Sequence, residues 1–327
     1  MKRLISLMVS LGILALIYWK IDFDGLIQVF QNCHLLWMVV SLGMVIPITA
    51  ASAWRLQVLS PPQVKLTVAE ANRLILAASS LNMVLPSKMG DIAKAYFMRD
   101  RGGISGSLAV SLVVFEKACD MLSLLLWCAF GLILYEPKNE LFLVMTGVIF
   151  TGLIAGSLLL ASPWVAAIAF RGAQRVAPGK TRSKLEDMHQ SWEAMHRYAW
   201  RDRDRLFTVT GLSVGIWLLH LLQIWFFILA LNAWVPFWVN LALSPLAILA
   251  GLLPLTFAGV GTRDAALIAF YAPFFNAQVG AALGLLCTSR YLIPAMAGLP
   301  FLQRYLSAIG GGAQLRKPRP KGASSDR

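Results

Sequence analysis

Long apolar runs separated by short polar segments dominate the hydropathy pattern of the chain. A helix that spans a bilayer needs about 20 mainly apolar residues. On that rule the pattern predicts about six transmembrane helices, at residues 4–20, 35–54, 105–134, 141–162, 206–231 and 279–301. Two shorter apolar pieces, 74–86 and 240–257, each precede a short helical stretch, 91–99 and 262–274 respectively. The pattern therefore predicts an all-α integral membrane protein.

Lysine and arginine are distributed unevenly between the connecting segments. Five segments hold 24 of the 29 Lys and Arg residues: 1–3, 55–73, 88–101, 163–205 and 302–327. The only basic residues in four other segments are Lys20 and Lys138; these segments are 20–34, 135–140, 232–238 and 271–278. Because Lys and Arg are enriched in cytoplasmic loops, we expect a multi-pass protein of the bacterial inner membrane with both termini in the cytoplasm.

The same charge pattern determines how the two short apolar pieces are interpreted. Basic segments flank the first piece on both sides, so it must enter and leave the membrane from the cytoplasmic face. Segments poor in basic residues flank the second piece, so it must enter and leave from outside. The pattern predicts two re-entrant helical hairpins and an inverted-topology repeat with halves at about 1–138 and 139–309, a plan typical of transporters.

The tips of the two predicted hairpins share a short pattern. Residues 85–91 and 253–264 each contain a proline that ends one helix, a glycine turn, and an acid that opens the next helix, Asp91 or Asp264. A helix that begins inside the membrane directs unpaired N–H groups and its positive dipole end towards the protein interior. Lys88 and Arg263 add full positive charge at these tips, which predicts a cradle for a phosphate or another anionic head group. Asp91 and Asp264 could also satisfy the dipoles by local capping.

Ionisable residues inside an apolar span form a second candidate site. Glu116, Lys117 and Asp120 lie in the third span, with Glu116 about 18 Å along the helix from Ile104 at 1.5 Å per residue. Two acids four residues apart require a nearby cation, and the candidates are Lys117 itself and three residues of other elements: Lys88, Arg263 and Arg290. The acids then serve to balance charge or couple to protons. The alternative is that they are partly solvated, or join helices through ion pairs.

Composition excludes several classes of function. A net charge of +13 would favour nucleic acid in a soluble chain, but only 14% of residues are charged and 58% are hydrophobic, whereas soluble chains carry roughly a quarter charged residues. The four cysteines and four histidines show no metal-binding or catalytic spacing. We therefore expect no nucleic-acid partner, no metal, no cofactor and no soluble catalytic domain.

Residues 163–205 form the longest predicted loop, basic and cytoplasmic. Residues 183–186 fit a capping box, and an apolar face follows on one side of a helix: Leu185, Met188, Trp192, Met195 and Ala199. This pattern predicts an amphipathic helix on the membrane surface. The basic segment 310–327 is predicted to be a disordered cytoplasmic tail.

Three segments of the chain resemble a known family in the same order. Residues 82–94 (NMVLPSKMGDIAK), 113–120 (VVFEKACD) and 254–264, which includes GVGTRD, resemble three motifs of the lysylphosphatidylglycerol synthase transmembrane region, also called the flippase-like domain family. Glu is the more usual final acid of the third motif. The resemblance runs over about residues 1–305, and we expect a stand-alone member without the soluble synthase domain.

The resemblance implies an inner-membrane protein that moves lipids between leaflets, with no enzymatic activity of its own. Its expected partners are membrane lipids, either anionic phospholipids or lipids of the polyprenyl or glycolipid type. Asn82 of the first motif joins Lys88, Arg263 and Arg290 as a candidate ligand of the head group. A membrane-embedded enzyme of lipid or lipid-linked glycan biosynthesis stays an alternative, with Glu116 and Asp120 as acid/base or metal-binding carboxylates.

A scaffold for lipid-biosynthesis enzymes is a further alternative, in which the charged cluster is structural. It predicts that a charge swap such as Glu116→Lys with Lys88→Glu keeps function. The lipid, the direction and energy source of transport, and the existence of a homo-oligomer stay open at this stage.

Overall fold

The computed structural model describes residues 23–84, 90–136, 139–252 and 261–314, and these residues are organised as helices without strands. Thirteen α-helices follow one another in these ranges, and we number them in chain order: α1 Phe23–Gln31, α2 Leu35–Gly43, α3 Val45–Leu59, α4 Val68–Val84, α5 Asp91–Gly102, α6 Gly106–Leu134, α7 Glu140–Ala161, α8 Pro163–Val176, α9 Gly179–Trp200, α10 Arg203–Ala230, α11 Phe237–Leu252, α12 Thr262–Tyr271 and α13 Ala277–Gln314.

Five helical segments within the described residues are long and apolar enough to cross a membrane: Leu35–Leu59, Gly106–Leu134, Glu140–Ala161, Arg203–Ala230 and Ala277–Leu302. The first of them combines α2 and α3. These segments confirm five of the predicted spans and the all-α membrane class, and the chain is a multi-pass membrane protein. The predicted span at 4–20 lies outside the described residues.

Several helices begin at a polar residue that caps the first turn. The side-chain oxygens of Ser105, Asn139, Ser162 and Asp202 each accept the backbone N–H of the residue three positions later, at the start of α6, α7, α8 and α10. Such a bond satisfies one of the N–H groups that a helix start leaves without an intrahelical acceptor. These capping residues set the ends of the apolar runs, which explains why the sequence pattern located the spans well.

The two short apolar pieces form helical pairs, α4 with α5 and α11 with α12, as the sequence predicts. The residues between them, 85–89 and 253–260, lie outside the described residues. Gly90 precedes α5 and lies against α4, where an added Cβ would overlap the carbonyl of Ala78 and the side chain of Asn82. The start of α5 therefore packs directly on α4, as a hairpin requires.

The short helices exchange partners between the two halves of the chain. Helix α4 packs most extensively on α13, and α11 packs most extensively on α6. Glycines make both approaches close: a Cβ at Gly298 would overlap the Leu76 carbonyl, and a Cβ at Gly131 would overlap the backbone of Leu241. Ser80 also donates to the carbonyl of Ala295 at 2.5 Å. An inverted repeat would produce such an exchange, but the opposite orientation of the halves stays a prediction.

The basic segment 163–205 differs from its predicted structure. It contains two helices, α8 and α9, and α9 begins at Gly179 after Pro178, so the predicted capping box at 183–186 is wrong: Ser183 lies in the second turn. The predicted apolar face is partly buried, since Met195 and Ala199 are 2% and 3% exposed whereas Met188 is 57% exposed. The helix packs on α6 and α8, and Met195 and Ala199 belong to a hydrophobic core cluster shared with α3, α4 and α6.

The predicted start of the disordered tail at residue 310 is also wrong, because α13 continues to Gln314. Residues 315–327 lie outside the described residues. Small residues at 308–313 (AIGGGA) give no hydropathy signal, although the helix includes them.

Candidate functional site

A cluster of charged side chains lies where α3, α5, α6 and α10 meet. Glu116 and Asp120 occupy neighbouring turns of α6 and project from the same face, as their spacing predicts. Glu116 is 1% exposed. The alternative of a solvated Glu116 is therefore wrong, and the acid needs compensating charge inside the protein.

Arg55 supplies much of that charge. Its Nη2 lies 2.8 Å from Glu116 Oε1, and its Nη1 lies 2.5 Å from Asp120 Oδ1 and 2.9 Å from the Ser213 hydroxyl of α10. The planar guanidinium presents several donors in a fixed arrangement, so one arginine can bind two carboxylates a helical turn apart. Arg55 thus joins α3 to α6 and α10.

Lys94 of α5 is the second cation that contacts Glu116. Its Nζ lies 3.1 Å from Glu116 Oε1 and 2.9 Å from Asp91 Oδ1, one turn earlier in the same helix. Lys94 is 4% exposed and Asp91 is 8% exposed. Asp91 lies in the first turn of α5, where a negative charge interacts favourably with the helix dipole. The second helix of the first hairpin is therefore bound to α6 through buried charges.

Lys117 completes the cluster from α6. Its Nζ lies 3.3 Å from Asp91 Oδ2 and 3.6 Å from Asp120 Oδ2. The ion pairs thus form a closed ring in which acids and bases alternate: Arg55, Glu116, Lys94, Asp91, Lys117 and Asp120. Three carboxylates and three cations make the ring neutral. The Lys117 side chain is 43% exposed, so the ring is open to its surroundings at that corner.

A smaller charged group lies at the start of α12. Arg263 donates from Nη2 to Asp264 Oδ1 at 2.7 Å and to Thr288 Oγ1 of α13 at 2.8 Å. The Gly261 N–H donates to Asp264 Oδ2 at 3.1 Å. Asp264 therefore caps the start of α12, which is the alternative role predicted for this acid. Gly284 allows this close approach, because a Cβ there would press on the Asp264 carboxyl group.

The other predicted head-group residues occupy separate positions. Arg290 of α13 donates from Nη2 to His220 Nδ1 of α10 at 2.8 Å. Asn82 lies beside Gly90, and its Oδ1 is buried without a hydrogen-bond partner among the described residues. Lys88 lies outside the described residues. In the part of the chain that the structure describes, no hydrogen bond or ion pair joins Asn82, Arg263 and Arg290 to one another.

Sequence reasoning missed Arg55 and Lys94. Arg55 follows directly after the predicted end of the second span at residue 54, whereas the span continues to Leu59 and buries Arg55 to 3% exposure. Lys94 was counted among the basic residues of a connecting segment. Its spacing of three residues from Asp91 is the one signal in the sequence that points to an ion pair.

Each carboxylate of the ring is already paired with two cations of the protein. Within the described ranges, no three His, Cys, Asp or Glu side chains converge in a way that would hold a metal ion.

Comparison with known families identifies the chain. The model of the lysylphosphatidylglycerol synthase TM region matches residues 3–298. The chain belongs to this family. No curated protein matches it. Membership of the family and the five spanning helices together make this a membrane protein related to lipid biosynthesis and flippase-like function.

Proposed function

We propose that this member of the family is a lipid translocase, which moves an anionic or phosphate-bearing lipid between the leaflets of the bacterial inner membrane. The observation that carries the proposal is the neutral ring of ion pairs, buried except at Lys117, that joins both α5 and α3 to α6. Intramembrane charges are costly and usually mark a substrate or ion pathway. Family membership supports a role with lipids.

The ring suggests how transport would proceed. Lys94 and Asp91 move with α5, whereas Arg55, Glu116 and Asp120 belong to the spans. A displacement of α5 would separate Lys94 from Glu116 and leave both charges in need of partners. A phosphate oxygen can replace a carboxylate as the partner of a lysine or arginine, so an anionic head group would stabilise the open arrangement. Substrate binding and hairpin movement would thereby be coupled.

Lys88 and Arg263, at the two hairpins, are proposed to contact the head group before and after it passes the ring. Asp91 and Asp264 are proposed to orient the starts of α5 and α12. The distribution of Lys and Arg supports both termini in the cytoplasm. The proposed partners are membrane lipids, and association with lipid-biosynthesis enzymes or with a second copy of the chain stays compatible with this role.

The ion pairs of the ring carboxylates favour transport over catalysis. Each of Asp91, Glu116 and Asp120 contacts two cations. A carboxylate held in this way is a poor general base, because its charge is already stabilised. The enzyme alternative predicts covalently altered lipid after incubation of the purified protein with substrate.

Scrambling of fluorescent lipids in proteoliposomes tests the proposal. Wild type should move at least one anionic lipid, and Glu116→Gln should reduce the initial rate at least tenfold. Glu70→Gln is the matched control, because it removes the same charge from an ion pair at the protein surface, in which Arg101 Nη1 lies 2.5 Å from Glu70 Oε1. This variant should leave the rate within twofold. Arg101 holds the pKa of Glu70 below its usual value through a hydrogen bond, so this carboxylate is also charged at neutral pH.

Two further variants test the hairpin residues. Lys88→Ala and Arg263→Ala should abolish transport while the folded protein stays in the membrane. Absence of movement of every anionic and neutral lipid tried, by protein whose fold is verified, would contradict the proposal. Equal rates for Glu116→Gln and wild type would remove the ring from the mechanism.

A further inference from the structure

Helix α10 carries three buried or partly buried polar residues on one face of an otherwise apolar span. Ser213, His220 and Gln223 are spaced by seven and three residues, which places them on the same side of the helix. Ser213 contacts the charged ring through Arg55. His220 lies about 10 Å further along the helix, at 1.5 Å per residue. Its Nδ1 accepts the 2.8 Å hydrogen bond from Arg290, so a second charged centre lies two turns away from the ring.

Arg290 differs from the other buried arginines in its compensation. Arg55 contacts Glu116 and Asp120, and Arg263 contacts Asp264. Arg290 is 7% exposed. Among the described residues no ion pair joins it to a carboxylate, and its Cζ lies 5.8 Å from the centroid of the Tyr291 ring. Its Nε, like that of Arg55, is buried and lacks a hydrogen-bond partner within those residues, so the missing carboxylate is what distinguishes Arg290. An arginine stays charged in proteins, and a buried charge without a counter-ion is strongly destabilising.

We propose that Arg290 is a further anion-binding site of this protein and that it takes a phosphate oxygen. The guanidinium combines charge with a planar set of donors that matches phosphate geometry, and its Nε–H has no protein acceptor in the described structure. His220 is a positioning residue: its Nδ1 accepts one Arg290 N–H and thereby orients the guanidinium. The inference rests on the proposed function, because it adds Arg290 to Lys88 and Arg263 as a side chain that contacts the phosphate of the transported lipid.

The first test measures binding rather than transport. Purified full-length protein in non-ionic detergent is titrated with dihexanoyl phosphatidylglycerol, a phosphodiester lipid, and with dihexanoylglycerol, which lacks the phosphate. Arg290→Gln should weaken binding of the phosphodiester at least tenfold and leave binding of the neutral lipid within twofold. Arg171→Gln is the control, because it removes one positive charge from the exposed face of α8, where Arg171 bonds to the Ala167 carbonyl. Unchanged phosphodiester binding by Arg290→Gln overturns the proposal.

A pair of His220 variants keeps the proposal testable if Arg290→Gln fails to fold. His220→Asn and His220→Asp both place an oxygen near the position of Nδ1 and differ by one charge. The Asp carboxylate should neutralise Arg290 within the protein. Binding of dihexanoyl phosphatidylglycerol should therefore be at least tenfold weaker in His220→Asp than in His220→Asn, while the thermal unfolding temperature of His220→Asp is equal or higher. Equal binding by the two variants contradicts the assignment.

Titration with inorganic phosphate distinguishes a site for free phosphate from a site for a lipid head group. Displacement of the lipid by phosphate, lost in Arg290→Gln, would show that the oxygens alone are recognised. Lipid binding that depends on Arg290 without any phosphate binding would show that the head group must belong to a lipid. Phosphate binding that survives Arg290→Gln contradicts the site.

Failure of this inference and failure of the proposed function give different results. If the protein transports lipid but binds it equally well without Arg290, the proposed function holds and the Arg290 site is wrong. If binding depends on Arg290 but no lipid is transported, the Arg290 site holds and the proposed translocase function is wrong.

Discussion

Arg55 Nη2 lies 2.8 Å from Glu116 Oε1, and both residues are at most 3% exposed. The two residues are 61 positions apart in the chain, on α3 and α6. Because neither charge is exposed to solvent, each depends on the other for compensation. The ring therefore couples its members, because the loss of one leaves each of its two neighbours with a single partner.

Replacement of Arg55 should therefore destabilise the protein strongly. Arg55→Gln removes one of the two cations that Glu116 and Asp120 each contact. Removal of one partner from a buried pair typically costs about 3–5 kcal/mol. Thermal unfolding of the detergent-solubilised protein measures the effect. Arg171→Gln should change the unfolding temperature little, and a similar small change in Arg55→Gln would contradict a buried, charged ring.

A second replacement should recover part of that loss. In Arg55→Gln with Glu116→Gln, the main unpaired acid becomes neutral, so the double variant should be more stable than Arg55→Gln alone. A double-mutant cycle measures the coupling between the two side chains. Additive effects would show that the 2.8 Å contact carries no coupling.

The two lysines of the ring should differ in importance. Lys94 is 5% exposed in its side chain and Lys117 is 43% exposed. Exposed ion pairs contribute about 0–1 kcal/mol, whereas the removal of a buried partner costs several times more. Lys94→Gln should consequently lower the unfolding temperature more than Lys117→Gln. A larger decrease for Lys117→Gln than for Lys94→Gln would indicate that the Lys117 side chain is buried when the protein is in the membrane.

Gly298 should tolerate no side chain. A Cβ at this position would overlap the Leu76 carbonyl, where α13 packs on α4. Gly298→Ala should force the helices apart and cost about 1–3 kcal/mol by overpacking. Gly147→Ala in α7 is the matched control, since nothing lies within 4 Å of its added Cβ. Alanine has the higher helix propensity, so the control should be neutral or slightly stabilising in the same unfolding assay.

Most of the fold follows from local sequence patterns. Apolar runs predicted five spans that the structure confirms, because hydropathy and length are properties of consecutive residues. The boundaries were less accurate where polar residues are buried. Arg55 was assigned to a connecting segment because an isolated arginine resembles the end of a span, yet α3 continues to Leu59.

Part of the candidate site was also predictable. The spacing of Glu116 and Asp120 on one helical face is a local feature, and the need for a cation follows from the cost of buried charge. The identity of that cation was not predictable. Arg55 and Lys94 reach Glu116 across 61 and 22 residues, and hydropathy contains no information about such distances.

The sequence by itself determined the membrane class, the spans and the presence of intramembrane acids, because each depends on the local free energy of placing residues in lipid. Only the tertiary structure decided which charges compensate one another. Helix packing places Arg55 and Lys94 on Glu116, and it directs Arg290 to His220 without an ion pair to a described carboxylate. Electrostatic compensation depends on distances between helices, and these exist only once the helices have packed.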